Sequence, residues 1–217
     1  MLLYLTNIVA TPKRILLNTS LTNRILFYPA NIVTYIRILF ILLFALFAFS
    51  HPILAFTFVL LSESMDPLDG YVAKITRKSS HYGSILDMTT DRTSCLIAGT
   101  VLAVLYPHWC LLFLFIMVID IASHLIVIYT CAINNTMSHK SLFANTHISL
   151  LKFYYSSQRY FMFTLALGYD LSLGLIYLYH FYPNRTIIIL FYMTLPIGLL
   201  KFYIHLIQSK EALKQIL

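Results

Sequence analysis

Residues 53–106 read ILAFTFVLLSESMDPLDGYVAKITRKSSHYGSILDMTTDRTSCLIAGTVLAVLY. Two apolar stretches flank a short basic connection at 75–82, and four aspartates, Asp66, Asp69, Asp87 and Asp91, interrupt them close to it. Asp66 and Asp69 are three residues apart and Asp87 and Asp91 four apart, so each pair projects from one helical face. The short connection makes the two helices antiparallel neighbours. Counted inward from residues 74 and 83 at 1.5 Å per residue, each pair lies about one to two turns inside the same membrane boundary. The pairs therefore face each other at a common depth. An ionisable group inside a bilayer costs about 2.5–3.5 kcal/mol on insertion scales and is usually functional. Four carboxylates this close repel one another and need a compensating cation. Basic side chains on the connection help, but a divalent metal is the stronger candidate, because all-oxygen sites suit Mg²⁺ or Mn²⁺. Two such ions about 3.5–4 Å apart are the usual arrangement for displacement at phosphorus.

The rest of the chain supports a membrane setting. Of 217 residues, 59% are hydrophobic and only 11% charged, with mean hydropathy +0.80. A soluble domain carries about 25% charged residues, and so little charge could not cover a soluble surface. Apolar runs of roughly 20 residues predict spans at 30–49, 53–74, 83–106, 109–132, 160–182 and 186–208. The expected fold is an all-α six-transmembrane-helix bundle forming a single domain over 1–217. Residues 8–27 mix Lys13, Arg14, Asn18, Asn23 and Arg24 with Ile, Leu and Phe, which fits a helix lying in the interface. The first ten residues carry no basic residue, so the start does not read as a cleaved signal peptide. Pro67 removes a hydrogen bond inside the second span, and Ser62 or Ser64 is expected to satisfy the freed carbonyl. Cys95, Cys110 and Cys131 fall inside apolar spans with no metal-ligand spacing and read as packing residues.

Charge gives the orientation. Lys13, Arg14, Arg24, Lys74, Arg77, Lys78, Lys140, Lys152, Arg159, Lys210 and Lys214 fall on one side of the predicted bundle, and Arg185 alone on the other. The positive-inside rule puts both termini, and the four aspartates with them, at the cytosolic side. The basic residues form no single soluble face, so no nucleic-acid partner is expected. A divalent-cation transporter would also use acids, but these cluster at one face and line no route across. Gly70 and Ala73 share the face of Asp66 and Asp69, and Gly83 opens the third span. Small residues there either admit a large ligand to the backbone or permit close helix packing.

The pattern Asp66-x2-Asp69-Gly70-x2-Ala73-Lys74-x8-Gly83-x3-Asp87-x3-Asp91 resembles the signature of the CDP-alcohol phosphatidyltransferase family, with Lys74 where Arg is usual. The segment Asn31-Ile-Val-Thr34-Tyr-Ile-Arg37 is similar to the family's first helix. Gly83 to Arg92, Asp120 to His124, Ser138 to Lys140, Tyr154 to Arg159 and Leu178 to Phe181 resemble the inositol-using branch of that family, the eukaryotic phosphatidylinositol synthases. The resemblance implies transfer of a phosphatidyl group from CDP-diacylglycerol to myo-inositol. Other family acceptors are glycerol-3-phosphate, serine or choline. It implies metal ligation by Asp66, Asp69, Asp87 and Asp91, with Asp91 as general base. It implies CDP-diacylglycerol binding by Asp69, Gly70, Ala73, Lys74 and Gly83. Arg92, His139, Lys140, Tyr155 and Arg159 are the candidates for the acceptor side. A homodimer in the endoplasmic reticulum membrane, with its active site facing the cytosol, is further implied. Asp120 and His124, four apart on one span, read first as a satisfied interhelical pair. Lys201 is expected to pair with an acid or to snorkel.

Overall fold

Proline sets several boundaries in this chain, because a fixed φ and a missing N–H are harmless in the first turn of a helix. In the computed structural model, which describes residues 24–134, 142–143, 147–156 and 159–216, α1 (Pro29–Phe47) and α2 (Pro52–Thr76) both begin on proline. Pro107 opens a 3₁₀ turn, Pro107–Trp109, that leads into α4 (Cys110–Ile133). Between them, α3 (His81–Leu105) is capped by Ser80, whose hydroxyl accepts a hydrogen bond from the Gly83 amide at 3.0 Å. Short α5 (Ser149–Ser156) precedes α6 (Arg159–Phe181), and α7 (Arg185–Lys214) is capped by Asn184 accepting from the Thr186 amide at 2.9 Å.

The six long helices coincide with the six apolar runs to within a few residues, except that α7 continues past 208 to Lys214. Among the described residues, four segments, Pro29–Phe47, Pro107–Ile133, Phe161–Phe181 and Arg185–Lys214, are long and apolar enough to cross a membrane. Helices α2 and α3 are long enough, but Glu63, Asp66, Asp69 and Lys74 on one, and Asp87, Asp91 and Arg92 on the other, break their apolar character. The expected interfacial helix at 8–27 falls almost wholly outside the described residues.

Helix α1 packs against α2 and α3, α4 against α3 and α7, and α6 against α7. One apolar cluster, including Phe44, Ala55, Leu102, Phe113 and Tyr177, ties α1, α2, α3, α4 and α6 together. The Tyr177 hydroxyl donates to the Ala48 carbonyl at 2.6 Å across that cluster. A second cluster, including Val127, Leu151, Leu165 and Ile204, joins α4 to α7. Each apolar helix buries a stripe inward and turns the rest outward: Leu39, Leu46, Leu111, Val118 and Met193 are all exposed. Exposed apolar surface on that scale marks a protein built for a lipid surround.

The two serines before Pro67 do not behave as expected. Ser64 donates to the Leu61 carbonyl at 2.8 Å, and Ser62 reaches across to the Arg37 carbonyl at 3.3 Å. The first is the ordinary back-bond of a helical serine. The second fastens α2 to α1 just beside the acidic residues. Lys201 does not snorkel: its side chain is buried, with Nζ 5.0 Å from the centre of the Tyr169 ring, and the acid that acts on it most strongly is Asp170 of α6, beyond direct ion-pair distance. Among the described residues the three cysteines form no disulfide, with Cys95 buried and the other two half-buried.

Candidate active site

Helix α1 carries Asn31, Thr34 and Arg37 at three-residue spacing, all buried on the face turned toward α2 and α3. Arg37 is completely buried, and its guanidinium is the hub of the acidic cluster. Its Nη1 lies 2.8 Å from Asp66 Oδ1, 3.0 Å from Asp69 Oδ2 and 2.7 Å from Asp87 Oδ1, while Nη2 lies 2.5 Å from Asp91 Oδ1. Thr34 adds a hydrogen bond to Asp69 Oδ2 at 3.3 Å. The two pairs of acids thus face each other as their spacing predicted. Beyond the prediction, a cation from a third helix binds all four. The sequence did carry a signal for this, a lone arginine in an otherwise apolar span.

Exposure differs across the cluster. The side chains of Asp66, Asp87 and Asp91 are 38%, 37% and 30% exposed, while Asp69 is 9% and Arg37 0%. The guanidinium is the floor and the carboxylates are the open rim. Carboxylate oxygens of Asp66, Asp69 and Asp87 lie within 4.8 Å of one another. A set of anionic oxygens at that separation, partly open to solvent, fits a hard divalent cation. Asp91 stands beside this trio, joined to it through Arg37.

A cleft of about 200 Å³ adjoins the rim. Asn31 and Thr34 line it from α1, Asp69, Gly70 and Ala73 from α2, and Ser84 and Asp87 from α3, with Lys78 and Ser80 at its mouth. The glycines divide between the two roles left open by the sequence. A Cβ at Gly70 would meet nothing within 4 Å, so no helix needs that space and the bare backbone faces the cleft. A Cβ at Gly83 would lie 2.6 Å from Asn31 Oδ1, so Gly83 allows close packing of α3 on α1.

Arg92, one residue beyond Asp91 on α3, turns about 100° away from the acidic hub and enters a second polar group. Its Nη1 donates to both oxygens of Asp120 at 2.5 Å and lies 3.3 Å from His124 Nδ1. His205 of α7 places Nδ1 3.1 Å from Asp120 Oδ1. The expected Asp120–His124 pair is therefore part of a four-residue group on three helices. Tyr155 is bonded to Gln208 Nε2 at 2.7 Å and stacked on Phe143, which ties α5 to α7. Burial raises its phenol well above the ordinary range, so it serves as a neutral hydrogen-bonding group. His139 and Lys140 lie outside the described residues, as does the side chain of Arg159.

Residues 27–195 match the CDP-alcohol phosphatidyltransferase family, a stretch that contains all four aspartates and Arg37. The chain belongs to this family. Several curated relatives are similar over most of their length. The human CDP-diacylglycerol–inositol 3-phosphatidyltransferase is 36% identical over 191 residues, covering 85% of this chain and 88% of the human protein. The mouse protein of that name is 37% identical over 193 residues, with the same coverage of 85% and 88%. That of Candida albicans is 30% identical over 209 residues, 95% of this chain and 87% of its own. No solved structure matches. Within the family's signature the one departure falls outside the cleft: Lys74 is exposed and does not line it, whereas Lys78 does. The turn between them explains this. Arg77 ends α2 in the left-handed region, φ 53°, and the Lys78 amide returns to the Ala73 carbonyl at 3.1 Å. That C-terminal turn carries the next residue back over the cleft.

Proposed function

We propose that this chain is a phosphatidylinositol synthase, a CDP-diacylglycerol–inositol 3-phosphatidyltransferase, moving the phosphatidyl group of CDP-diacylglycerol onto myo-inositol and releasing CMP. The observation that carries the reading is the convergence of four aspartates beside an open cleft, in a chain whose relatives of that activity match along nearly all of it. The nucleotide end of the donor occupies the cleft, against Asp69, Gly70, Ala73 and Gly83. Its acyl chains lie in the bilayer along the exposed apolar faces. Asp66, Asp69, Asp87 and Asp91 would hold Mg²⁺ or Mn²⁺, two ions, which when bound would neutralise the pyrophosphate and the departing CMP.

Asp91 is the general base. It stands outside the closest trio of carboxylates and is partly open, so it can accept a proton from the inositol hydroxyl as that oxygen bonds to the lipid-side phosphorus and the bond to CMP breaks. Arg92, next to it, faces the acceptor side. The protein is a single membrane domain of six spans with both termini in the cytosol and its active site at the cytosolic face of the endoplasmic reticulum. It functions as a homodimer. Helices α2 and α3 cross despite their charges because Asp66, Asp69, Asp87 and Asp91 are gathered on Arg37, while Glu63 is bonded to Ser94 and Arg92 is held by Asp120.

The test is purified protein in detergent with CDP-diacylglycerol and a panel of alcohols, reading CMP release. Myo-inositol is expected to give the fastest release. Faster release with glycerol-3-phosphate, serine or choline at equal concentration overturns the acceptor assignment and leaves the family assignment standing.

A further inference from the structure

Asp120 is completely buried in α4. It is surrounded by Arg92 from α3, His205 from α7 and, one turn along its own helix, His124. A carboxylate and two imidazoles at this spacing resemble a metal site, since their donor atoms lie within 4.8 Å of one another. The contacts argue otherwise. Arg92 covers both carboxylate oxygens, and His124 Nδ1 lies 2.8 Å from the backbone carbonyl of Asp120. What Asp120 holds is a guanidinium.

The direction in which that guanidinium is held matters. Consecutive residues on an α-helix point about 100° apart. Asp91 therefore faces the hub on α1 while Arg92 faces α4 and α7. With Nη1 taken by Asp120, Arg92 turns Nη2 back toward Asp91, 4.0 Å from Oδ2. The other oxygen of Asp91, Oδ1, is held by Arg37. Asp91 is thus set between two arginines, one fixed by three further aspartates and the other by Asp120. A pair serving only to pin helices together gains little from being ionic, since apolar replacements of both partners of a buried pair are often neutral or stabilising. We propose that Asp120 is a positioning residue that acts through Arg92 to orient Asp91 for proton acceptance. This rests on the reading of Asp91 as the base.

The experiment uses full-length purified protein in detergent with Mn²⁺, and reads thermal unfolding, kcat and the KM of each substrate. Asp120→Asn should lower kcat at least tenfold per folded molecule, with the KM for CDP-diacylglycerol within twofold of wild type. Because that variant strands the Arg92 charge, the double variant Asp120→Asn/Arg92→Gln is made with it. The double variant should regain thermal stability yet stay at least tenfold slow. Recovery of kcat to within threefold of wild type in the double variant overturns the proposal. A rise in CDP-diacylglycerol KM at unchanged kcat does the same, and so does failure of both variants to fold, since the pair would then be a structural cross-link. Asp91→Asn, assayed alongside, separates the two readings: if it keeps wild-type turnover the base assignment fails by itself, whatever Asp120 does.

Discussion

Replacing Arg37 by Met removes the one cation shared by Asp66, Asp69, Asp87 and Asp91 while keeping most of the apolar stem. All four contacts lie between 2.5 and 3.0 Å, and the guanidinium has no exposure to water. Breaking a buried pair by removing one partner costs about 3–5 kcal/mol, because the other charge is left uncompensated. Here the rim carboxylates keep about a third of their exposure, so water recovers part of the loss. That relief is opposed by the repulsion of four carboxylates, and the same range is expected. For a chain of this size each kcal/mol moves the unfolding midpoint by roughly 2–4 °C, which predicts a fall in Tm of about 6–20 °C. Thermal unfolding in detergent, without divalent metal, measures it. Arg37→Lys should fall between, since an ammonium is a point charge that cannot reach four carboxylates as a planar fork does. Added Mn²⁺ should restore part of the stability of Arg37→Met, because a ligand that binds only the folded state stabilises it. A midpoint within 2 °C of wild type for Arg37→Met would show that the hub contributes nothing to folding and would refute this electrostatic account.

Four further outcomes are expected. Asp87→Ala, or thorough chelation of the wild type, should abolish CMP release while the protein stays folded, as judged by its elution in detergent. Asp91→Asn should reduce turnover about 10²–10⁴-fold, the range typical of general acid–base groups, with CDP-diacylglycerol binding retained; equal loss of both would make Asp91 chiefly a ligand. Gly70→Ala meets no atom within 4 Å and should leave Tm equal or higher, yet raise the KM for CDP-diacylglycerol by filling the cleft wall; an unchanged KM would move the nucleotide elsewhere. A cysteine at Ser80 should react with an impermeant reagent from the cytosolic side and one at Asn184 only from the other, with reversed labelling overturning the orientation.

Helix positions and the acidic pairs were legible in the sequence because each rests on local rules. Apolar runs set the borders, and three- and four-residue spacing set the faces. What was not legible depends on several helices at once. Arg37 could be flagged as a lone intramembrane charge, but its four partners emerge only when α1 packs on both α2 and α3. His205 joins Asp120 from the last helix, and no short motif spans that separation. The exchange of Lys74 for Lys78 at the cleft turns on one left-handed residue, Arg77, which has no special side chain to announce it. The expectation for Ser62 failed for a similar reason, since its better acceptor was on a neighbouring helix.

The hub on Arg37 also constrains how the chain is made. Synthesis runs from the N-terminus, so α1 enters the bilayer carrying a cation whose four partners do not yet exist. Insertion scales put that at about 2.5–3.5 kcal/mol for one arginine at mid-depth, which the remaining Ile, Leu and Phe of α1 must offset for the time being. Helices α2 and α3, which follow, are interrupted by charged residues and fall short of the apolar length of the other four long helices. The waiting guanidinium supplies what they lack. Helix α1 thus carries the docking point, Arg37, for the two helices that follow it in the chain.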